Sequence, residues 1–225
     1  MGSRAARDVS AWVFAGGDPP DAGAIRDLAP ADLVIAADSG LMHAQALGVA
    51  VHVVVGDLDS VDAAALAAAT AAGVAVERHP VDKDATDLEL ALDAALARGA
   101  RSVLVVGGHG GRLDHLLANA LLLASPRFAT VRVDARMGRA HVTVIHDRAE
   151  LSGAPGALCS LLPVGGPAVG VETDGLRFAL HRETLEPGST RGISNEFVAP
   201  IATVSVTAGV LLAIAPRRGE HGEAT

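Results

Sequence analysis

The N-terminal half of the chain repeats one pattern five times: a short apolar run ends in a polar or glycine-rich loop, and a helical stretch follows. Strand–loop–helix units in succession favour a parallel β-sheet that carries helices on its faces and is connected by right-handed crossovers. We therefore predict an α/β domain, Rossmann-like with three layers, over residues 1–138. Its predicted strands are Ser10–Ala15, Leu33–Ala37, Val53–Val55, Val74–Arg78 and Arg101–Val106.

The helices predicted between these strands follow the apolar spacing and the glycines that end each stretch. They are Asp21–Leu28, Leu41–Leu47, Asp62–Ala72, Thr86–Ala97 and a last helix that ends near Ala124.

The sequence pattern changes after about residue 134. Helical periodicity disappears, and short β-like runs alternate with glycine and proline. This pattern predicts a separate all-β sandwich or barrel over residues 139–216, followed by a polar tail at 217–225. The predicted strands are Ala140–His146, Ala157–Pro163, Ala168–Thr173, Leu176–Leu180, Phe197–Ala199 and Thr203–Ile214, the last interrupted at Gly209.

Polar residues follow each predicted strand of the parallel sheet. In such sheets the carboxyl ends of the strands share one edge, and ligands bind outside it. Each polar turn has an ordinary explanation by itself, such as a helix cap at Ser60 or Asp59. Five of them at one edge favour a binding site. They are Gly16 with Gly17, Asp38, Asp57 with Asp59, Thr86 with Asp87, and the segment 110–114.

The residue types at this edge point to a metal and a polyphosphate. Asp57 and Asp59 are one residue apart, and two carboxylates held that close favour a hard divalent cation such as Mg²⁺. Backbone amides of residues 108–111 would receive phosphate oxygens, Arg112 would neutralise negative charge, and Lys83 lies nearby in the sequence. The chain lacks the G-x-x-x-x-G-K-[ST] pattern of P-loop enzymes, and no G-x-G-x-x-G pattern of dinucleotide-binding domains opens its first helix.

Composition excludes several other classes of function. The net charge of −8 argues against binding nucleic acid through a general basic surface. No apolar run is long enough to span a bilayer, and the N-terminus lacks the apolar region of a signal peptide. The single cysteine, Cys159, suits a reducing cytoplasm and is expected to be a buried apolar residue. The nine histidines lack the paired spacing of a zinc site.

Five motifs follow one another along nearly the whole chain. They are Ala37–Gly40, Gly56–Ser60, Lys83–Asp87, Gly110–His115 with Asn119, and Gly192–Glu196. The sequences G-D-x-D-S, T-D and G-G-R-x-D-H in that order are quite specific. Together these motifs resemble the thiamine pyrophosphokinase (thiamine diphosphokinase) family.

This resemblance implies transfer of a diphosphoryl group from ATP to thiamine, with Mg²⁺, in a cytoplasmic homodimer whose active sites lie near the subunit interface. It implies Mg²⁺ ligands at Asp57, Asp59 and Asp87, which together with Arg112 and Asp114 form the catalytic set. It also implies substrate or nucleotide binding by Asp38, Ser39, Gly40, Lys83, Thr86, Gly110, Gly111, His115, Asn119, Ser194 and Asn195.

Two alternatives stay open at the level of sequence. The acceptor could be another small heterocyclic alcohol, such as a hydroxymethylpterin, because related enzymes diphosphorylate pterin alcohols on a similar acidic scaffold. The chain could also be a non-catalytic protein that binds or senses thiamine, although so many repelling carboxylates would not serve a pure binder. For stacking on a thiamine ring, the β domain offers only Phe178 and Phe197.

Overall fold

The computed structural model describes residues 8–217, which divide into two compact units. The first unit comprises residues 8–119 and Thr130–Arg132, and the second comprises Ala120–Ala129 and residues 133–217. Most of the predicted polar tail, from residue 218 onward, lies outside the described residues. Within the described residues, no helix has both the length and the apolar character needed to cross a membrane.

The first unit is built on a parallel sheet, as predicted. Its strands lie in the order β4-β3-β2-β1-β5, and every neighbouring pair runs parallel. The strands are β1 (Val9–Phe14), β2 (Leu33–Ala37), β3 (Val53–Gly56), β4 (Ala75–Arg78) and β5 (Ala100–Val106).

Helices cover both faces of this sheet, because the central strands are apolar on both sides. These helices are α1 (Gly40–Ala46), α2 (Ala63–Ala71) and α3 (Asp87–Ala97), and α4 (Leu113–Leu123) follows β5. Helix α3 packs across β1, β2, β3 and β5, and its fully buried Ala91 and Ala95 allow a close approach. On the opposite face, Phe14 and Val34 pack with Ala44 of α1.

The strand order places a ligand-binding crevice at the ends of β1 and β5. The chain moves outward from β1 to β4 and then returns to the other side of β1 as β5, so the order reverses between these two strands. Such a reversal opens a crevice at the carboxyl ends of the strands. The loops there are bonded together: the amide of Gly108 donates to the carbonyl of Gly16, and that of Asp18 to the carbonyl of His109, both at 2.8 Å.

Two local predictions in the first unit were wrong. Asp21–Leu28 is not an α-helix, and only a 3-10 turn forms at Ala22–Ala24, because prolines on both sides leave too few residues for a stable helix. The cap of α2 is neither Ser60 nor Asp59. Asp62 is the cap, and its Oδ1 accepts a hydrogen bond from the amide of Ala65 at 2.8 Å.

The second unit is antiparallel, as predicted for the all-β part of the chain. Its strands lie in the order β6-β7-β13-β9-β12-β8, and β10 and β11 pair with β9. Cys159 is completely buried in its apolar core, and burial raises the pKa of the thiol to about 12. The strands are β6 (Arg132–Met137), β7 (Ala140–Ile145), β8 (Arg148–Ser152), β9 (Leu158–Asp174), β10 (His181–Leu185), β11 (Asn195–Glu196), β12 (Ile201–Ser205) and β13 (Ala208–Pro216).

Several strand predictions in this unit differ from the structure. The two runs at 157–163 and 168–173 form one strand, β9, because a shift of register against β13 absorbs the glycines and prolines between them. The predicted strand Leu176–Leu180 does not form. Leu176 and Leu180 pack in the core, and the strand of this region is β10, which begins at His181. The break between β12 and β13 falls at residues 206–207, not at Gly209. Strands β6, β8, β10 and β11 were not predicted, and the predicted strand Phe197–Ala199 is only an isolated bridge from Phe197 to Leu176.

Replacing Gly40 with alanine should destabilise the protein by about 1–3 kcal/mol, even though alanine is the better helix former. Gly40 begins α1, and a Cβ at this position would clash with the backbone carbonyl of Phe14 in the central strand β1. Denaturant unfolding measures the effect. The matched control is Gly166→Ala, where the added Cβ meets no atom within 4 Å. Equal midpoints for the two variants would contradict this packing argument.

Candidate active site

An open cleft of about 540 Å³ lies in the first unit at the carboxyl ends of the parallel strands. Its walls come from the loops after β1, β2, β3, β4 and β5, so segments far apart in sequence meet there. Most of the residues predicted for the site line this cleft. They are Asp38, Ser39, Asp59, Lys83, Thr86, Asp87, Gly110, Gly111, Arg112, His115 and Asn119.

Three predicted residues of this unit do not line the cleft. Gly40 is buried against β1 and serves the close packing of α1. Asp57 lies immediately beside the cleft, in contact with residues that line it. Asp114 is exposed, and its carboxylate pairs with the guanidinium of Arg112 at 2.5 and 3.1 Å. This pairing holds the pKa of Asp114 at about 2.

Three carboxylates converge beside the cleft. One oxygen from each of Asp38, Asp57 and Asp59 lies within 4.8 Å of the others, a spacing that would allow one cation to contact all three. Carboxylate oxygens are the ligands preferred by hard divalent cations. Asp87 is next to this group, because the side chains of Asp87 and Asp38 both lie against Gly56. A Cβ built on Gly56 would be 2.9 Å from Asp87 Oδ1 and 3.3 Å from Asp38 Cβ. The structure thus adds Asp38 to the acids that the sequence grouped for metal binding.

Asp38 is the most constrained of these acids. It is only 9% exposed, and its Oδ1 is buried without a hydrogen-bond partner. Burial is the largest effect and raises its pKa, and the hydrogen bond from the amide of Ser39 opposes this by a smaller amount. The neighbouring carboxylates of Asp87, Asp57 and Asp59 each add a further, lesser increase. Its φ of 47° is in the left-handed region. Such conformations in non-glycine residues concentrate at functional sites.

Lys83 joins two of the acids. Its Nζ donates to Asp57 Oδ2 at 2.7 Å and forms an ion pair with Asp87 Oδ1 at 3.0 Å. Burial lowers the pKa of Lys83, but the hydrogen bonds to these two carboxylates outweigh that effect and the net pKa is raised. The same hydrogen bond holds the pKa of Asp57 below its ordinary value.

The turn that presents Asp57 and Asp59 is held in an uncommon conformation. Leu58 between them has a φ of 67°, which aliphatic side chains rarely adopt. The guanidinium of Arg78, at the end of β4, donates to the carbonyl oxygen of Asp57 at 3.0 Å. The amide of Asp59 in turn donates to Asp57 Oδ1 at 3.3 Å. These bonds fix the turn so that both carboxylates approach Asp38.

The opposite wall of the cleft is the glycine-rich loop between β5 and α4. Gly110 and Gly111 have φ values of 78° and 59°, a conformation that glycine adopts without strain. Asn119 on α4 anchors the loop, since its Nδ2 donates to the carbonyl of Gly108 at 2.9 Å. Arg112 projects from the loop with 70% of its side chain exposed. Backbone amides and an exposed guanidinium therefore line the same cleft as the acidic residues.

Thr86 both caps helix α3 and lines the cleft. Its hydroxyl caps α3 by accepting a hydrogen bond from the amide of Glu89 at 3.2 Å, and it also lines the cleft. The cap starts α3 so that Asp87, the first helical residue, lies at the acidic site.

A second cavity, of about 490 Å³, lies within the second unit. Phe178, Ile193 and Asn195 are among its lining residues. Phe178 is 53% exposed, whereas Phe197 is completely buried in the core, so only Phe178 is available to stack on a ligand. Asn195 is 2% exposed and bonds to both the amide and the carbonyl of Phe178, so it holds this loop in place. Ser194 is exposed, with a φ of 55°.

Some residues of the cleft were not predicted as site residues. Ser60 and Val81 line it, as does His109, of which only the backbone amide was predicted, and Arg78 supports the Asp57 turn from outside. Their positions after β3, β4 and β5 are the signal that could have marked them. The bond from Arg78 to a backbone carbonyl has no signature in the sequence.

Comparison with known proteins agrees with this geometry. Residues 26–134 match the family model described as thiamin pyrophosphokinase, catalytic domain, and residues 143–211 match the model described as thiamin pyrophosphokinase, vitamin B1 binding domain. The thiamine pyrophosphokinase of Bacillus subtilis (strain 168) is 27% identical over 187 residues, which cover 79% of this chain and 80% of that protein.

Solved structures give the same result. The crystal structure of thiamine pyrophosphokinase from Bacillus subtilis superimposes with a TM-score of 0.78 at 25% identity, covering 92% of this chain and 98% of that one. That of thiamin pyrophosphokinase from Geobacillus thermodenitrificans gives a TM-score of 0.75 at 25% identity, covering 94% and 99%. The two family models together span most of the chain, and the chain therefore belongs to the thiamin pyrophosphokinase family.

Proposed function

We propose that this protein is a thiamine diphosphokinase, which transfers a diphosphoryl group from ATP to thiamine and releases thiamine diphosphate and AMP. The observation that carries the proposal is the acidic group of Asp38, Asp57 and Asp59 facing a glycine-rich loop across one cleft, in a chain of this family. The relatives reported above carry the name of this activity, which favours thiamine over a pterin alcohol and favours an enzyme over a sensor.

The acidic residues fit Mg²⁺. The buried Asp38 Oδ1 has no hydrogen-bond partner, and three carboxylate oxygens lie within 4.8 Å of one another. We assign Asp38, Asp57 and Asp59 as the residues that would hold the ion, with Asp87 beside them. Bound there, Mg²⁺ would neutralise phosphate charge and orient the polyphosphate for attack.

The opposite wall suits the polyphosphate of ATP. Gly111 leaves room for phosphate oxygens, whereas the carboxylate of Asp18 lies against Gly110. The amino end of α4 favours negative charge. Arg112 is exposed and long enough to exchange Asp114 for a phosphate oxygen as charge develops. Ser39, Thr86, His115 and Asn119 complete the cleft as groups that position the nucleotide.

The reaction is a displacement at the β-phosphorus. The hydroxyl oxygen of thiamine forms a bond to the β-phosphorus, and the bond from that phosphorus to the oxygen bridging it to the α-phosphorus breaks. The bridging oxygen leaves with AMP, and the hydroxyl group loses its proton. Positioning and charge stabilisation supply most of the catalysis in phosphoryl transfer, and carboxylates, amides and an arginine are the groups such a reaction uses.

The cavity of the second unit suits thiamine. Phe178 offers an exposed ring at its wall, and the two hydrogen bonds between Asn195 and the Phe178 backbone hold this backbone in place. We assign Ser194 and Asn195 to this acceptor site, Asn195 through its hold on Phe178.

We also propose a homodimer with active sites near the subunit interface. Helix α4 exposes Leu113, Leu117 and Leu121, each more than half exposed and four residues apart, so they form one apolar face. A second copy would remove that face from water. A cytoplasmic location is part of the proposal, and a single reduced cysteine is compatible with it.

The test is AMP formation from ATP in the presence of Mg²⁺, with and without thiamine. We expect AMP to appear only when thiamine is present, in an amount equal to the thiamine diphosphate formed. Hydroxymethylpterin in place of thiamine is the control for acceptor choice. Production of ADP instead of AMP, or no turnover with thiamine, would contradict the proposal.

A further inference from the structure

Lys83 is chemically unique in this chain. It is the only lysine among 18 lysine and arginine residues, so arginine supplies every other permanent side-chain cation. An ammonium group is a compact charge with three rotatable donors, whereas the guanidinium of arginine is a planar fork. The one position that carries an ammonium group is the one between two acidic-site carboxylates.

The position of Lys83 resembles that of a bound cation. Its side chain is 13% exposed, and its Nζ lies between Asp57 Oδ2 and Asp87 Oδ1. Within residues 8–217, the ion pairs found for the clustered acids Asp38, Asp57, Asp59 and Asp87 are the two that Lys83 makes with Asp57 and Asp87. Arg78 is close, but its guanidinium donates to the backbone carbonyl of Asp57 and not to the carboxylate.

Lys83 and a divalent cation would therefore compete for the same carboxylate, that of Asp57. Asp57 Oδ2 accepts the hydrogen bond from Lys83, and Asp57 is also one of the three acids placed to hold a cation with Asp38 and Asp59. A divalent cation among those three acids would bring two positive charges close to the ammonium group. Like charges at such distances repel, more strongly in a half-buried site than in water.

We propose that Lys83 is an intramolecular counter-ion, which holds the acidic site together without metal and leaves Asp57 when a divalent cation binds. This inference rests on the metal site of the proposed function. It gives Lys83 a positioning role distinct from contact with the nucleotide: it sets the affinity of the free enzyme for the cation. Binding of metal then makes the ammonium available to the cleft that Lys83 lines.

The first test measures Mn²⁺ binding by calorimetry to the nucleotide-free protein and to Lys83→Met and Lys83→Arg. Removing the competing charge should tighten binding by the Met variant roughly tenfold or more, whereas the Arg variant keeps the charge and should stay near wild type. If Lys83 instead preorganised the ligands, Lys83→Met would bind Mn²⁺ more weakly. Weaker or unchanged binding by this variant would overturn the proposal.

The second test needs no variant. Because Lys83 carries the only side-chain ammonium, an amine-acylating reagent labels one internal peptide, and the labelling rate reports release from the two carboxylates. We expect Mn²⁺ alone to increase the rate. An unchanged or slower rate refutes displacement. If Mn²⁺ does not release Lys83 but the wild-type protein still forms AMP when thiamine is present, only the counter-ion role of Lys83 is rejected. If the wild-type protein neither binds Mn²⁺ nor forms AMP, the metal site and the proposed diphosphokinase function are rejected together.

Discussion

Replacing Asp57 with asparagine should lower the rate of AMP formation by about a thousandfold or more, equivalent to roughly 4 kcal/mol of lost transition-state stabilisation. Asp57 is placed to hold the cation and is also the partner of Lys83, so one substitution removes a metal ligand and the charge that pairs with an ammonium group. The fold should survive, because asparagine has nearly the same shape and its amide oxygen can still accept the hydrogen bond from Lys83. Steady-state kinetics with saturating thiamine measure the loss.

Asp82→Asn is the matched control for this experiment. Asp82 is an exposed acid one residue before Lys83, and it does not line the cleft. It should retain near-normal turnover, and both variants should unfold within about 1 kcal/mol of wild type. Near-normal Mg²⁺-dependent rates in Asp57→Asn would show that the metal assignment is wrong.

The second large effect is a gain in stability at the expense of activity. Asp38→Asn should stabilise the metal-free protein by about 1–2 kcal/mol, because it removes a negative charge that burial and the neighbouring carboxylates disfavour. A gain of this size corresponds to a rise in Tm of roughly 2–8 °C. The same variant should lose most of its turnover and its stabilisation by Mg²⁺. A lower Tm than wild type, with Mg²⁺ stabilisation intact, would contradict both parts.

The stability gain should depend on pH in a defined direction. The pKa of Asp38 is raised in the folded protein above its ordinary value of 3.8, so the folded state binds this proton more tightly than the unfolded state. Ionisation of Asp38 therefore costs stability as the pH rises through its folded pKa. The advantage of Asp38→Asn should be full at neutral pH and should shrink as the pH falls toward 3.8. Thermal unfolding of both proteins across this range measures it.

The parallel sheet could be predicted because its strands are apolar on both faces. Runs such as Val53–Val55 leave no polar face, and the helix that follows each run forces a crossover. The second unit could be predicted only as a class. The runs at 157–163 and 168–173 merge in β9 because pairing with β13 continues past the glycines, and that pairing depends on distant residues. Leu176 and Leu180 are apolar for packing reasons, which a strand pattern cannot distinguish.

The site could be predicted as a set of turns at one sheet edge, but its internal geometry could not. That Asp38 faces Asp57 and Asp59 depends on φ values of 47° at Asp38 and 67° at Leu58, which only the folded surroundings enforce. The choice of Phe178 over Phe197 as an exposed ring was likewise decided by packing. Helix capping was misassigned because Asp59, Ser60 and Asp62 all suit a cap, and the backbone path alone selects Asp62.

The most direct measurement of the central claim is a crystal structure with Mn²⁺, thiamine and a non-hydrolysable ATP analogue, recorded for anomalous scattering from manganese. We predict an anomalous peak within ligand distance of Asp38, Asp57 and Asp59, next to the polyphosphate, with Lys83 Nζ no longer bonded to Asp57. A manganese peak away from these three carboxylates, with the bond from Lys83 to Asp57 still present, would contradict the account.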